Sequence, residues 1–398
     1  MSVFAPSNED HPIKLVLLGG PNVGKSTFAN RMHSKFFRET YYPTHKSTML
    51  LFDYFAQTLK SKAVLDEYGG LEGKSIVTAD NDLLLSPTIF QSYTKNVSSE
   101  SKKRRNSNGS NTKLIKNNYY NYKYANYYGN YHEPLISPIS IELIDTPAFR
   151  PDMVVPFLEV SLFRNLDKED LHNLANEPRK PVSTNPLLVA SGSGELDGNV
   201  NGYVFMYSAV PSSNPPSYDE SLNPTKVPAV DTTSSEDTTQ EEIIYRETLG
   251  ILELMRGAIY DAWREYRNYQ KRWEKGQEGD VYSLVYGIKQ LWKMRSIEEE
   301  QRKLQELRKI SYELDTLNTD PSSPESPPPI IIVCTHCNHP GAAPFLIDQG
   351  KNLANAWKSS FIMIDNQDNK NVEESLALII REIVEKENLQ KLRKKFGK

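Results

Sequence analysis

The stretch IKLVLLGGPNVGKST, residues 13–27, decides the fold. Its opening apolar run, interrupted only by Lys14, predicts a short buried strand, and the residues from Lys25 to about Lys35 predict a helix. Between them, residues 19–26 fit the pattern G-x-x-x-x-G-K-[ST], in which glycines let backbone N–H groups curl around phosphate oxygens. The sequence therefore predicts a phosphate-binding loop between a strand and a helix. Its candidate binding residues are Gly19, Gly20, Pro21, Asn22, Val23, Gly24, Lys25, Ser26 and Thr27.

Other short apolar runs predict the remaining strands of the same sheet. They lie at 139–144, 203–207, 330–334 and 361–364, with predicted helices at 345–357 and from Val372 to about Leu389. Short apolar strands that alternate with helices indicate a parallel sheet covered on both faces. We therefore expect an α/β fold with a mostly parallel sheet and helices on both sides.

The composition indicates that this core is interrupted by other segments. The chain has 398 residues, of which 38% are hydrophobic, and a mean hydropathy of −0.57, which is too polar for one compact core. The core is predicted to be one discontinuous domain, made of residues 11–60, 136–210 and 329–390. Between and beyond these pieces we expect a disordered, low-complexity insertion at 61–135 that is rich in Tyr and Asn from residue 117, a disordered acidic linker at 211–240, a helical hairpin at 241–317 and a basic tail at 391–398.

The predicted hairpin carries an aromatic and aliphatic stripe at helical spacing. Leu252, Met255, Ile259 and Trp263 recur at three- and four-residue steps in its first arm, a pattern typical of packing helices and coiled coils. Two interpretations stay open for this stripe. It packs against the second arm at 281–317, or it forms a groove for a partner protein.

Charge and cysteine content exclude several classes of function. The 47 basic and 51 acidic residues give a net charge of −4, which argues against a general nucleic-acid or anionic-membrane binder. Two cysteines exclude a disulfide-stapled framework, and no run approaches the length of a membrane span. We expect an intracellular, cytoplasmic protein without a stable membrane anchor. The basic run at 102–105 leaves the nucleus as an alternative location.

The phosphate loop and the residues beyond it resemble the P-loop GTPase superfamily. Residues 20–27 are spelled as in Era-like enzymes, whereas the spacing beyond them is that of Ras-like small GTPases. Phe37 falls where Ras-like proteins carry an aromatic beside the guanine, and Thr44 resembles the threonine of their first switch. Asp145, followed by Thr146 and Pro147, resembles the start of the Asp-Thr-Pro-Gly motif. The resemblance implies a guanine nucleotide bound with Mg²⁺, the ion being held by Ser26, Thr44 and Asp145.

Two positions depart from the family pattern beside the expected γ-phosphate. Ala148 stands where the family has a glycine whose N–H binds that phosphate, and its Cβ restricts the backbone. Phe149 stands where Ras-like proteins use a glutamine to orient the attacking water, which a phenyl ring cannot do. We therefore expect slow or absent GTP hydrolysis.

The base-reading motif also departs from the family pattern. The family's Asn-Lys-x-Asp is expected after the 330–334 strand, where this chain has Thr335, His336, Cys337 and Asn338. An aspartate accepts two hydrogen bonds from guanine, whereas Asn338 offers one carbonyl oxygen and a competing NH₂ donor. We expect weakened guanine selectivity. The family's last guanine-contact motif is poorly matched at 365–367.

Cysteines and histidines cluster in the same loop and suggest a second interpretation. Cys334, His336, Cys337 and His339 lie within six residues, but structural zinc sites draw their ligand pairs from two separated segments. We favour a divergent base-reading loop over a metal site.

Two hypotheses for the function follow. The first is a GTP-binding, Ras-like switch protein with weak or absent intrinsic hydrolysis, which contacts effector or regulator proteins through residues 41–48, 146–165 and the hairpin. The second is a pseudo-GTPase that acts as an interaction scaffold without cycling. The intact loop favours the first, and Ala148, Phe149 and Asn338 favour the second.

Overall fold

The computed structural model describes most of the predicted core and parts of the segments inserted into it. The described residues are 12–37, 42–94, 115–116, 119–128, 131–149, 200–211, 241, 244–246, 248–260, 263 and 320–396. The predicted acidic linker beyond residue 211 and the second arm of the predicted hairpin lie outside these residues.

The described residues contain ten strands, which form two sheets. The strands are β1 (Ile13–Gly19), β2 (Thr48–Tyr54), β3 (Leu83–Leu84), β4 (Ile115–Lys116), β5 (Asn121–Tyr128), β6 (Tyr131–Ile136), β7 (Ile139–Asp145), β8 (Gly202–Ser208), β9 (Ile330–Thr335) and β10 (Ser360–Met363). The larger sheet has the order β2-β7-β1-β8-β9-β10-β3, and β4-β5-β6 form a small antiparallel sheet. In the larger sheet the five central strands are parallel, whereas the edge strands β2 and β3 are antiparallel to their neighbours. The prediction of an α/β fold with a mostly parallel sheet is confirmed.

Helices cover both faces of the larger sheet. They are α1 (Lys25–Ser34), α2 (Leu59–Leu65), α3 (Gly70–Val77), α4 (87–94), α5 (248–260), α6 (Pro344–Trp357) and α7 (Val372–Phe396). Apolar residues of α1, α2 and α7 join one buried cluster, and those of α5 and α6 join another on the opposite face. Strand β9 is buried along its whole length because both faces are covered, which explains its continuous apolar sequence.

Residues 61–94 and the Tyr/Asn-rich tract differ from the predicted disordered insertion. They contribute α2, α3, β3, α4 and the small sheet, and their apolar side chains enter the core beside α7. Tyrosine explains the difference, because it packs its ring in a core while its hydroxyl finds an acceptor. Tyr93 donates a hydrogen bond to the Ala63 carbonyl at 2.7 Å, and Tyr120 donates to the Leu65 carbonyl at 2.8 Å.

The first arm of the predicted hairpin packs on the larger sheet. Leu249, Leu252, Met255 and Ile259 of α5 are buried in the cluster that also holds side chains of β1, β8 and β9. The three- and four-residue spacing therefore predicts the apolar face of α5 correctly but does not identify what that face packs against. The first residues of the predicted basic tail continue α7 as far as Phe396.

No helix in the described residues is both long enough and apolar enough to span a bilayer.

Candidate functional site

The predicted phosphate loop lies at the carboxyl end of β1, the edge at which parallel α/β sheets bind ligands. Two of its glycines are required by geometry. A Cβ on Gly19 would lie 2.2 Å from the Met206 carbonyl oxygen of β8, and Gly24 has a φ of +80°, which disfavours any other residue. Val23 is buried between them in the core, while Pro21 and Asn22 are exposed at the tip of the loop.

Lys25 begins α1 and is folded into the loop. Its side chain is only 7% exposed, and Nζ donates hydrogen bonds to the carbonyl oxygens of Gly19 at 2.9 Å and Gly20 at 2.7 Å. Burial lowers the pKa of Lys25 to about 8, and the nearby charge of Asp145 opposes that shift. A buried ammonium group that donates to neutral carbonyls can exchange them for anionic phosphate oxygens.

Three oxygen-bearing side chains meet beside Lys25. The Oγ of Ser26 lies 2.7 Å from the Oγ1 of Thr44, and Asp145, at the end of β7, is 3% exposed. Burial raises the pKa of Asp145, while the hydrogen bond from Ser26 and the charge of Lys25 act in the opposite direction. Asp145 Oδ1 has no hydrogen-bond partner within the described part of the chain. Hydroxyl and carboxylate oxygens with one such free buried acceptor fit a Mg²⁺ ion.

The residues after Asp145 turn back into the protein core. Thr146 is buried, and its hydroxyl donates to the Leu17 carbonyl of β1 at 2.6 Å. Phe149 is 4% exposed and lies in the apolar cluster under α5, and its backbone N–H donates to the Gly19 carbonyl at 3.1 Å. Ala148 is half-buried between them. The residue that the resemblance to GTPases would align with a water-orienting glutamine is thus part of the hydrophobic core.

The predicted base-reading loop contacts the phosphate loop directly. Thr335, at the end of β9, is fully buried and donates from Oγ1 to the Val23 carbonyl at 2.9 Å. His336 follows with a φ of +56°, and its Nδ1 lies 2.9 Å from Ser208 Oγ. Burial lowers the pKa of His336, which favours the neutral ring.

A second loop, after β10, lies against both of these loops. The amide of Asn366 donates from Nδ2 to the Gly24 carbonyl at 3.4 Å. Asn338 is exposed, its backbone N–H donates to Asp365 Oδ2 at 3.4 Å, and its Nδ2 donates to Asp368 Oδ2 at 3.1 Å. The sequence does not single out Asp368. The signal available was its place in the run Asp365-Asn366-Gln367-Asp368 directly after a buried strand.

Two further residues of the predicted site, Thr27 and Phe37, lie in α1 and just after it. Thr27 is half-buried in the first turn of α1, and Phe37 is half-buried three residues after that helix ends at Ser34. Residues 38–41 and 150–165, which include part of both predicted switch segments, lie outside the described residues.

Among the described residues, the cysteines and histidines of this loop do not form a metal site. Cys334 is buried within β9, and burial raises the pKa of its thiol to about 12, which disfavours a metal-binding thiolate. Across the described ranges, no group of three or more His, Cys, Asp and Glu side chains could hold a metal ion.

The fold and the site define an α/β protein with a mostly parallel mixed sheet and a glycine-rich loop at the carboxyl end of β1, one of the interior strands. The chain is 41% identical over 424 residues to a Saccharomyces cerevisiae protein described as "Uncharacterized protein YPR084W", and the match covers 96% of this chain and 90% of that protein. The chain belongs to the same family as that protein. No family model matches the sequence.

Proposed function

We propose that this protein is a GTP-binding switch protein of the P-loop GTPase superfamily, with a Ras-like core and weak or absent intrinsic GTP hydrolysis. The observation that carries the proposal is the arrangement around Lys25. A buried ammonium group, a loop that requires glycine at Gly19 and Gly24, and a free buried oxygen of Asp145 meet at the carboxyl ends of β1 and β7. The mostly parallel sheet with helices on both faces is also what the resemblance implies.

Binding would use the loop in a specific way. Lys25 would leave the carbonyl oxygens of Gly19 and Gly20 for the β- and γ-phosphates, because an ionised acceptor forms a stronger hydrogen bond than a neutral carbonyl. Ser26, Thr44 and Asp145 would hold Mg²⁺, which neutralises charge on the phosphates. Since the hydroxyls of Ser26 and Thr44 are in contact, a bound γ-phosphate would be sensed by the segment that leads into β2. A regulator or effector protein would recognise that segment.

Catalysis is weak in this proposal because the attacking water lacks an orienting group. Phe149 has no polar side-chain atom, and its burial in the apolar cluster under α5 keeps its ring away from solvent. Oxygens that hold Mg²⁺ support binding and charge neutralisation, but they do not by themselves place a water in line with the leaving group.

The burial of Phe149 also favours a second candidate function. If Phe149 and Ala148 prevent turnover altogether, the chain is a pseudo-GTPase that serves as an interaction scaffold without cycling. The two candidate functions differ in whether the bound nucleotide is converted from triphosphate to diphosphate. A scaffold keeps one state, whereas a switch alternates between triphosphate and diphosphate states, aided by a partner.

A nucleotide panel with the purified full chain tests the proposal. GTP, GDP, ATP and XTP are compared for binding in the presence of Mg²⁺, and GTP and GDP are expected to bind. Single-turnover hydrolysis at saturating GTP is expected to be slower than about 10⁻⁴ s⁻¹, the order of an unaided Ras-like enzyme. Failure of every nucleotide to bind overturns the proposal. Hydrolysis at or above that rate overturns the role assigned to Phe149.

A further inference from the structure

The loops after β9 and β10 are linked by a hydrogen bond that fixes the direction of an amide. Asn338 donates from Nδ2 to Asp368 Oδ2 at 3.1 Å, and its backbone N–H donates to Asp365 Oδ2 at 3.4 Å. An ionised carboxylate can only accept hydrogen bonds. Asp368 therefore holds the NH₂ group of Asn338 toward itself. The carbonyl Oδ1 accepts a long contact from Cys337 Sγ at 3.7 Å and keeps a second lone pair for a ligand.

The orientation matters because the two ends of an amide have opposite hydrogen-bonding character. A freely rotating asparagine offers a donor or an acceptor to a ligand with similar ease, whereas an asparagine held by its NH₂ group offers an acceptor. Without Asp368, Asn338 would read a base ambiguously. With it, Asn338 mimics the acceptor character of a carboxylate.

Asn366, which follows Asp365 in the second of these loops, supplies an independent indication of a ligand beside the phosphate loop. It is only 3% exposed, and its Nδ2 donates to the Gly24 carbonyl of the phosphate loop at 3.4 Å. Its Oδ1 is buried and has no hydrogen-bond partner among the residues that the structure describes. A buried acceptor left without a donor is unfavourable, so its presence beside the phosphate loop points to N–H groups that a ligand would bring.

We propose that Asn338 and Asn366 present two carbonyl acceptors to a nucleobase and that Asp368 is the positioning residue that sets the sense of the first. Such a pair selects a base with two adjacent donors, as guanine has at its N1–H and exocyclic amine. Xanthine carries a carbonyl in place of that amine, and adenine carries an acceptor at N1. The inference rests on the proposed function, and it replaces the expectation from sequence that Asn338 weakens guanine selectivity.

The test measures the ratio of the dissociation constants for XTP and GTP in the full chain with Mg²⁺. Each nucleotide competes against a fluorescent GTP analogue, so one assay covers all variants. The wild-type protein is expected to prefer GTP. Asp368→Ala is expected to lower that preference about tenfold, because the released amide can turn its NH₂ group toward the xanthine carbonyl. Asp348→Ala, which removes an exposed carboxylate from α6, is the charge-matched control and is expected to leave the ratio unchanged.

A swapped variant separates orientation from a general structural effect. In Asn338→Asp combined with Asp368→Asn, the residue at position 338 accepts hydrogen bonds whatever its partner does. The GTP preference is therefore expected to return to at least the wild-type value. An unchanged ratio in Asp368→Ala, or no recovery in the swapped variant, overturns this inference while nucleotide binding itself stands. Failure of all nucleotides to bind wild-type protein overturns the proposed function and this inference together.

Discussion

The two halves of the candidate site are built in different ways. The phosphate half, around Gly19, Gly24 and Lys25, depends on backbone carbonyls and on positions where a Cβ does not fit. The base half, around Asn338 and Asp368, depends on contacts between side chains from two loops. Backbone geometry permits few residue types, whereas a side-chain network can perform the same task with several. This difference explains why the phosphate half matches a known pattern and the base half does not.

The difference also suggests where the site is sensitive. Changes in the phosphate half should affect every nucleotide and, at the glycines, the fold itself. Changes in the base half should mainly alter the choice between bases, as tested above with Asp368.

The largest effect is expected at Gly19. Alanine there would place its Cβ 2.2 Å from the Met206 carbonyl oxygen of the neighbouring strand, so β1 and β8 would have to move apart. We expect Gly19→Ala to lower the free energy of unfolding by about 3 kcal/mol, measured by urea denaturation. Gly20→Ala is the matched control, because its Cβ would lie 3.6 Å from Ile251 Cδ1, an ordinary contact. Equal stability of the two variants would contradict the close approach described here.

Lys25→Ala is expected to have the next largest effect, on ligand affinity. Loss of a charged hydrogen-bond donor to two phosphates should weaken GTP and GDP binding about 100-fold, as measured by titration calorimetry. Lys358→Ala removes an equal charge where Lys358 pairs with Asp320, beyond the C-terminal end of α6, and should leave affinity unchanged. Unaltered affinity in Lys25→Ala would show that nucleotides do not bind in this loop.

Asp145→Asn tests the assignment of the buried free oxygen to Mg²⁺. An amide has no net charge and only one acceptor atom, so the concentration of Mg²⁺ that half-saturates GTP binding should rise about 30-fold. Asp53→Asn, on the exposed part of β2, is the control. A Mg²⁺ dependence that does not change in Asp145→Asn would remove this residue from the metal site.

The smallest effect concerns pH and follows from the lowered pKa of Lys25. That pKa is about 8 in the free protein, and anionic phosphates would raise it in the complex, so binding takes up a proton when the pH exceeds the free value. GTP affinity should therefore be nearly constant below about pH 8 and fall about tenfold between about pH 8 and pH 9.5. In Lys25→Arg the guanidinium stays charged, so any residual affinity should not fall in this range. An equal decline in both proteins would assign the pH dependence to another group.

Much of the larger sheet could be predicted because its central strands are buried on both faces. The apolar runs that form β1, β7, β8, β9 and β10 stand out from their surroundings, and each predicted range agrees with the observed strand to within one residue at either end. The edge strand β2 does not stand out. Leu50 and Phe52 pack against the buried cluster that includes α1, whereas Met49 and Leu51 are exposed. Because β2 carries apolar residues on both faces, its sequence lacks the alternation of apolar and polar residues that predicts a strand.

The residues of the phosphate half are contiguous in sequence, so a local sequence pattern predicts this half of the site. The residues of the base half come from two loops that are separated in sequence by α6 and β10. Their hydrogen bonds depend on side-chain directions that no local pattern encodes. The local sequence does not predict the packing of residues 61–94 and of the Tyr/Asn-rich tract, for a related reason. Tyr93 and Tyr120 are core residues only because distant carbonyls accept their hydroxyl groups.

The central claim is that a nucleoside triphosphate binds at the Lys25 loop together with Mg²⁺. Titration of GTP into the purified full chain, once with Mg²⁺ and once with excess EDTA, tests it most directly. We predict one site per chain with a dissociation constant of about 10 µM or tighter in Mg²⁺, and clearly weaker binding in EDTA. No detectable binding at about 1 mM GTP with Mg²⁺ present would contradict the claim.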